Sequence, residues 1–372
     1  MEVLNYWRVL VLNIMNHLRI GNLVSKWPII QGGMGIGISL SSLAGAVAKE
    51  GGIGIISGVQ IGYREEDFLK NNLEANKRAM RKEIRKAREI APEGIIGVNL
   101  LAAMTTYNEL ITTAIEEGID LIVTGAGLPL DLPEMVRGTE TKIAPVVSSG
   151  KAAKLISKVY DRKFGIPADM FIVEGPLAGG HLGFKKDVME KESYMDLEDI
   201  LKEVLEEIRP FEEKYGVKIP VVVAGGIFDG KDIAYFMSLG ASGVQMGTRF
   251  VGTEECSADL KFKMAYIRAK KEDIRLVNSP VGMPGRAISN SFTEKMDAGN
   301  IRVKRCYNCL IPCDPRTTPY CISDALMNSA EGEEGLIFAG ANAYRVSEIV
   351  TVKELMNQLI EEAREQLDEQ RV

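Results

Sequence analysis

A chain of 372 residues with 46% apolar and 26% charged side chains has the composition of a globular enzyme, long enough for one large domain with an attachment or for two domains. Its formal net charge of −6 argues against a nucleic-acid binder, which shows a basic excess, and no apolar run reaches the length of a membrane span. Five cysteines, an odd number with four of them clustered, argue against a secreted disulfide framework and for a reducing cytoplasm.

The amino-terminal stretch MEVLNYWRVLVLNIMNHL is mildly apolar, but it carries Glu2, Arg8, Asn13 and Asn16 and lacks a small-residue cleavage site, so it does not read as a secretory leader. Residues 1–20 are set apart as an N-terminal extension. From there on, short β-branched runs recur, each followed by a glycine-rich turn and a helix-like segment. The strand candidates are Trp27–Gln31, Gly52–Ser57, Ile95–Leu101, Asp120–Thr124, Ile143–Ser148, Met170–Glu174, Pro220–Ala224 and Gly243–Met246. Nearly continuous apolar runs suit parallel strands buried on both faces. Helices are predicted at Leu40–Glu50, Glu65–Ile90, Thr105–Glu117, Gly150–Asp161, Leu197–Tyr215 and Asp229–Leu239. Eight strand–helix repeats over about 230 residues predict a (β/α)8 TIM barrel, residues 21–268, with an open doubly wound sheet as the alternative. A helix at Asp259–Lys270 precedes an irregular stretch, and residues 269–345 are read as a C-terminal cap segment on the barrel's carboxyl face. A last helix, Val352–Gln370 within residues 346–372, is expected to pack back on the barrel.

Chemistry concentrates at the strand ends, where barrel enzymes gather their catalytic residues. After the first strand comes QGGMGIG, in which Gln31, Gly32, Gly33 and Met34 offer a backbone surface and a soft side chain to a planar ring. Its spacing is not a dinucleotide fingerprint, and SSGKAAK after the fifth strand is not a P-loop. Asn99 places an amide in an apolar strand, where it needs a partner. Ser148, Ser149, Lys151 and Glu174 also end strands. After the sixth strand, EGPLAGGHLGF carries His181, one of only two histidines, behind Gly179 and Gly180. Histidine is the side chain best suited to move protons near neutral pH. The polar excursion after it, residues 176–196, is long enough for a lid. The loops after the seventh and eighth strands hold Ala224, Gly225 and Gly226, then Gln245, Met246, Gly247 and Thr248, where barrels commonly bind a phosphate.

Taken in order, PIIQGGMGIG, GVNLL, VVSS, EGPLAGGHLG, VVVAGGI and VQMGTRF resemble the nitronate monooxygenase (2-nitropropane dioxygenase) family, related to the flavin-containing enoyl-acyl-carrier-protein reductases. The resemblance runs over about residues 20–290 and implies an FMN-bound (β/α)8 barrel. It implies that His181 lies beside the flavin, that Gln31–Met34 and Asn99 meet its ring, and that Gly225, Gly226 and Gln245–Thr248 hold its phosphate. Leu177 stands where many relatives carry a glutamate, so no acidic helper is implied there.

Four thiols spaced C-x2-C-x3-C-x7-C, Cys306, Cys309, Cys313 and Cys321, are candidates for Zn²⁺ or an iron–sulfur cluster, with buried free thiols as the rival reading. The reaction expected is oxidation of alkyl nitronates with O2. The alternative is NAD(P)H-dependent reduction of enoyl thioesters or quinones on the same fold, with a flavin-binding redox sensor as a more distant third. Expected partners are a small-molecule substrate with O2 or NAD(P)H and a second copy of the chain in a homodimer, but neither nucleic acid nor membrane.

Overall fold

In the computed structural model, residues 17–299 and 301–369 are described; residues 1–16 of the expected extension lie outside them. Two short strands, β1 (Leu18–Ile20) and β2 (Leu23–Ser25), form an antiparallel hairpin before the barrel begins. The barrel strands follow as β3 (Ile29–Gln31), β4 (Ile53–Ser57), β5 (Ile95–Leu101), β6 (Leu121–Gly125), β7 (Lys142–Val147), β8 (Phe171–Glu174), β10 (Val221–Ala224) and β11 (Gly243–Met246). All neighbours pair in parallel, and β11 closes on β3, so the sheet has no edge. The open-sheet alternative is thereby excluded.

Strand periodicity explains why the runs are apolar on both sides. Ile30, Ile53, Ile55, Leu121, Val123, Ile172 and Val222 point into the barrel and pack on one another. Their neighbours Ile29, Ile56, Ile122 and Val223 point outward, into the layer shared with the helices. Leu18 and Ile20 of the hairpin pack against the inner layer, although the hairpin is a separate sheet outside the barrel. The hairpin was not legible as strands because three residues are too few to show a period.

Glycine sets how closely the first barrel helix, Ser41–Lys49, can approach the sheet. A Cβ at Gly54 would lie 1.8 Å from the carbonyl oxygen of Ala44. The helix predicted from Glu65 begins at Asn72; the residues before it are turns. The last helix, Val352–Glu369, lays Leu355, Leu359 and Ala363 against helix Gly230–Ser238. Glu362 accepts a 2.8 Å hydrogen bond from the Gly230 N–H at that helix's start.

A second small sheet covers the carboxyl mouth. It consists of β9 (Gly180–His181), β12 (Ile274–Asn278) and β13 (Pro284–Ile288), all antiparallel. Behind it Tyr320, Leu326, Leu336 and Phe292 form their own core. The polar excursion after His181 is anchored: it buries Leu182 and Met189 against Ala178. No helix among the described residues is long and apolar enough to cross a membrane.

Candidate active site

A cavity of about 500 Å³ opens between the barrel mouth and the small sheet. The barrel wall contributes Gly32, Gly33 and Met34 after β3, Asn99 on β5, Ser148 and Ser149 after β7, and Glu174 at the end of β8. Gly179, Gly180 and His181 form the side next to the cap. Ala224, Gly225 and Gly226 after β10 and Gln245–Thr248 at the end of β11 complete the ring.

Three placements differ from the sequence expectations. Gln31 is fully buried and does not line the cavity; its amide nitrogen donates to the Gly32 carbonyl and its Oε1 accepts from the Ile55 N–H at 3.2 Å. Lys151 is exposed on a barrel helix and also lies away from the cavity. The metal expectation is not supported. Cys306, Cys309, Cys313 and Cys321 are free thiols, and no group of three or more ligating side chains converges among the described residues. Burial pushes the Cys309, Cys313 and Cys321 thiols up, Cys321 to about 11, so they stay protonated, and Cys309 and Cys313 pack against the cap core. Of the four only Cys309 reaches the cavity wall.

Electrostatics single out two groups. Glu174 is half-buried on the cavity wall, and burial raises its pKa to about 7. Burial lowers His181 to about 4, so its imidazole is neutral at neutral pH. Its Nε2 lies 2.6 Å from Ser279 Oγ, and its ring meets Phe338 edge-on at 5.0 Å between centroids. Strand pairing fixes the backbone beneath it: Gly285 on β13 faces His181 on β9.

The loop after β10 is turned by two glycines. Gly225 and Gly226 have φ of 89° and 107°, a region that L side chains rarely adopt, so their positions require glycine. Asn342 of the cap donates to the Gly226 carbonyl at 2.7 Å and holds the loop open. Near it, Gln245 Oε1 is buried without a hydrogen-bond partner in the protein. An orphaned amide oxygen on a cavity wall calls for a donor from a ligand.

Sequence reasoning missed the cap's share of the site. Ser279, Phe338 and Gly340 touch His181 or the cavity, yet SPVGMPGR reads as loop because Pro284 and Gly285 disguise a strand. The Asn278–Pro284 register with β12 was the signal available, and it is visible only once the strands pair.

A closed parallel barrel with a glycine-lined cavity at its carboxyl mouth and a part-buried neutral histidine on the wall is the arrangement of a cofactor-dependent (β/α)8 enzyme. The nitronate monooxygenase family model matches residues 17–362, and the chain belongs to that family. It is similar to a probable nitronate monooxygenase of Staphylococcus saprophyticus, 27% identical over 74% of this chain and 79% of that one. A probable nitronate monooxygenase of Bacillus subtilis is 24% identical over 90% and 95%. Among solved structures, FabK from Thermotoga maritima superimposes with a TM-score of 0.72 at 26% identity, covering 93% of this chain and 96% of that one. Nitroalkane oxidase from Streptomyces ansochromogenes shares the fold, with a TM-score of 0.70 at 21% identity over 93% and 98%.

Proposed function

We propose that this chain is an FMN-dependent oxidoreductase that oxidises alkyl nitronates, and nitroalkanes through them, with O2. The observation that carries the reading is the pairing of a neutral histidine with a glycine-lined cavity, in a chain of this family. FMN bound there would supply the redox chemistry, taking electrons from the substrate and passing them to O2.

The residues fit that group. Backbone N–H groups of the Gly225–Gly226 turn and the Thr248 hydroxyl suit a phosphate. The Gly32–Met34 backbone leaves room for a flat ring, and Gln245 Oε1 lacks the donor that a flavin's imide N–H supplies. Asn99, Ser148, Gly179, Gly180, Ala224, Met246 and Gly247 complete the wall around it. Glu174, half protonated at about pH 7 and largely protonated below it, presents less than a full charge to an anionic ligand. His181 is the proton acceptor for a neutral nitroalkane and orients a nitronate that arrives already ionised. The surrounding apolar wall, with Phe338 and the cap, keeps water from the reacting carbon.

Two observations favour a second reading, NAD(P)H-dependent reduction of an enoyl thioester or quinone. Among the described residues neither lysine nor arginine lines the cavity, and the likeness to FabK extends over nearly the whole chain. Steady-state assays separate the two. Nitronate-dependent O2 uptake without nicotinamide supports the first, while oxidation of NADH or NADPH without nitronate supports the second.

A further inference from the structure

Residues 340–345, the last stretch of the cap, touch three loops of the barrel mouth. The Ala341 N–H donates to the Leu177 carbonyl at 3.0 Å, in the loop that leads to His181. Gly340 lies so close to the loop after β11 that a Cβ on it would sit 2.6 Å from Thr248 Oγ1. Asn342 Nδ2 donates to the Gly226 carbonyl at 2.7 Å, in the loop after β10. Arg345 grips that same loop farther on. It pairs with Asp229 at 2.7 Å, and its guanidinium lies over the Phe228 ring at 4.1 Å. Arg249, next to Thr248, lies over that ring too, at 4.8 Å.

Asn342 fixes the orientation of one peptide group. The Gly226–Ile227 bond is trans, so its N–H points opposite to its C=O. Holding the Gly226 oxygen toward Asn342 therefore turns the Ile227 N–H away from the Asn342 amide. Among the described residues, the N–H groups of Gly225, Gly226 and Ile227 donate no hydrogen bond, although all three residues line the cavity. Successive unpaired N–H groups in such a turn form an anion-binding concavity. Two adjacent glycines have many conformations open to them, so an outside constraint is needed to keep them in one. Asn342 supplies it without itself lining the cavity. Arg345 acts through charge: Asp229 follows shortly after Gly226, and the ion pair offsets a carboxylate that would repel an anion.

We infer that residues 340–345 are a strap that holds the loop after β10 ready for the phosphate of FMN, with Asn342 and Arg345 as positioning residues. A segment outside the barrel then sets how tightly the barrel holds its cofactor. FMN as the ligand of this loop comes from the proposed function, and the strap rests on that reading. A strap of this kind matters for the ligand's phosphate and not for its ring, whereas ordinary packing would matter for both alike.

Riboflavin, which is FMN without its phosphate, separates the two. Fluorescence titration of the flavin-free, full-length protein with FMN and with riboflavin reads both affinities, and thermal melts of the same samples check folding. Asn342→Ala should weaken FMN binding about 3- to 10-fold, the effect of one hydrogen bond, and leave riboflavin binding within about twofold of wild type. Arg345→Ala should weaken FMN binding about 2- to 5-fold at low salt and less at high salt, again sparing riboflavin. Arg345→Lys should restore most of the loss by keeping the pair with Asp229. Arg345 is partly exposed, so its variants keep the test open if Asn342→Ala does not fold. Equal losses for FMN and riboflavin, or wild-type FMN affinity in folded Asn342→Ala, would overturn the strap, as would a wild-type protein that binds the two flavins equally. Phosphate-selective losses in a protein that turns over neither nitronate nor nitroalkane would instead overturn the proposed reaction and leave the strap standing.

Discussion

Gly285 of the cap pairs edge to edge with His181 of the barrel loop, in an antiparallel register extended by Arg286 opposite Gly180. The pairing makes the site a joint product of two parts of the chain about a hundred residues apart. Arg286 reinforces it: its guanidinium is buried and donates to the carbonyls of Pro176 and Ala178, pinning the loop from which His181 emerges.

Replacing His181 with alanine is expected to leave FMN binding intact and to lower turnover of a neutral nitroalkane by about 10²–10⁴-fold, the usual contribution of a general base. A preformed nitronate has no proton to lose, so its turnover should fall less. Stopped-flow reduction of the bound flavin with each substrate checks this. Near-wild-type rates on both would remove His181 from the chemistry.

Gly226→Asp should weaken FMN binding by at least about tenfold. The new side chain would be held at a φ of 107° and would bring a carboxylate to the N–H groups that the proposed function assigns to the FMN phosphate. Flavin fluorescence titration reads the effect. Unchanged affinity would show that the loop is only a turn, and Gly226→Ala separates backbone strain from charge.

Glu174 and His181 bend the pH dependence of stability in opposite senses. Burial raises Glu174 to about 7, so the stability tied to its bound proton is full below its ordinary value of 4.5 and is lost as the pH rises through 7. His181, lowered from 6.5 to about 4, contributes stability that is full above 6.5 and is lost as the pH falls through 4. Glu174→Gln cannot ionise, so its Tm relative to wild type should rise between about pH 5 and pH 8. Differential scanning calorimetry across that range is the test, and a constant difference would mean that Glu174 titrates like an exposed carboxylate.

Gly54→Ala should cost about 3 kcal/mol or more, because its Cβ meets backbone rather than a side chain that can move. Gly118→Ala, with φ of 68° and nothing within 4 Å, carries only the backbone penalty and should cost about 1 kcal/mol. Urea denaturation of the two variants checks the contrast. Equal losses would mean that the helix Ser41–Lys49 can shift on the sheet.

Thiol titration should distinguish the cysteines by cover. Cys306 is exposed and should react first, while Cys256, buried beside the Ile38 carbonyl with its thiol pushed up, should react only on unfolding. If Cys306 proves as slow as Cys256, the cap is closed over it.

The barrel was legible because its physics is local. Most strands, from Ile95–Leu101 to Gly243–Met246, are nearly continuous apolar runs with a breaker behind them, and two-sided burial leaves that mark in any window of a few residues. The glycines of the β10 loop and His181 were legible for a related reason: their residue types are costly to place without a use. The cap was not. Its strands are held by cross-strand partners remote in sequence, and proline and glycine inside β13 conceal the period. The cysteine spacing suggested a ligand set, but spacing does not determine where side chains point; among the described residues the four thiols do not converge, and Cys309 and Cys313 pack against the cap core. The partners of His181 were decided only in three dimensions. Ser279 reaches it through the pairing of β9 with β13, and a hydrogen bond between residues 98 apart leaves no pattern in the sequence.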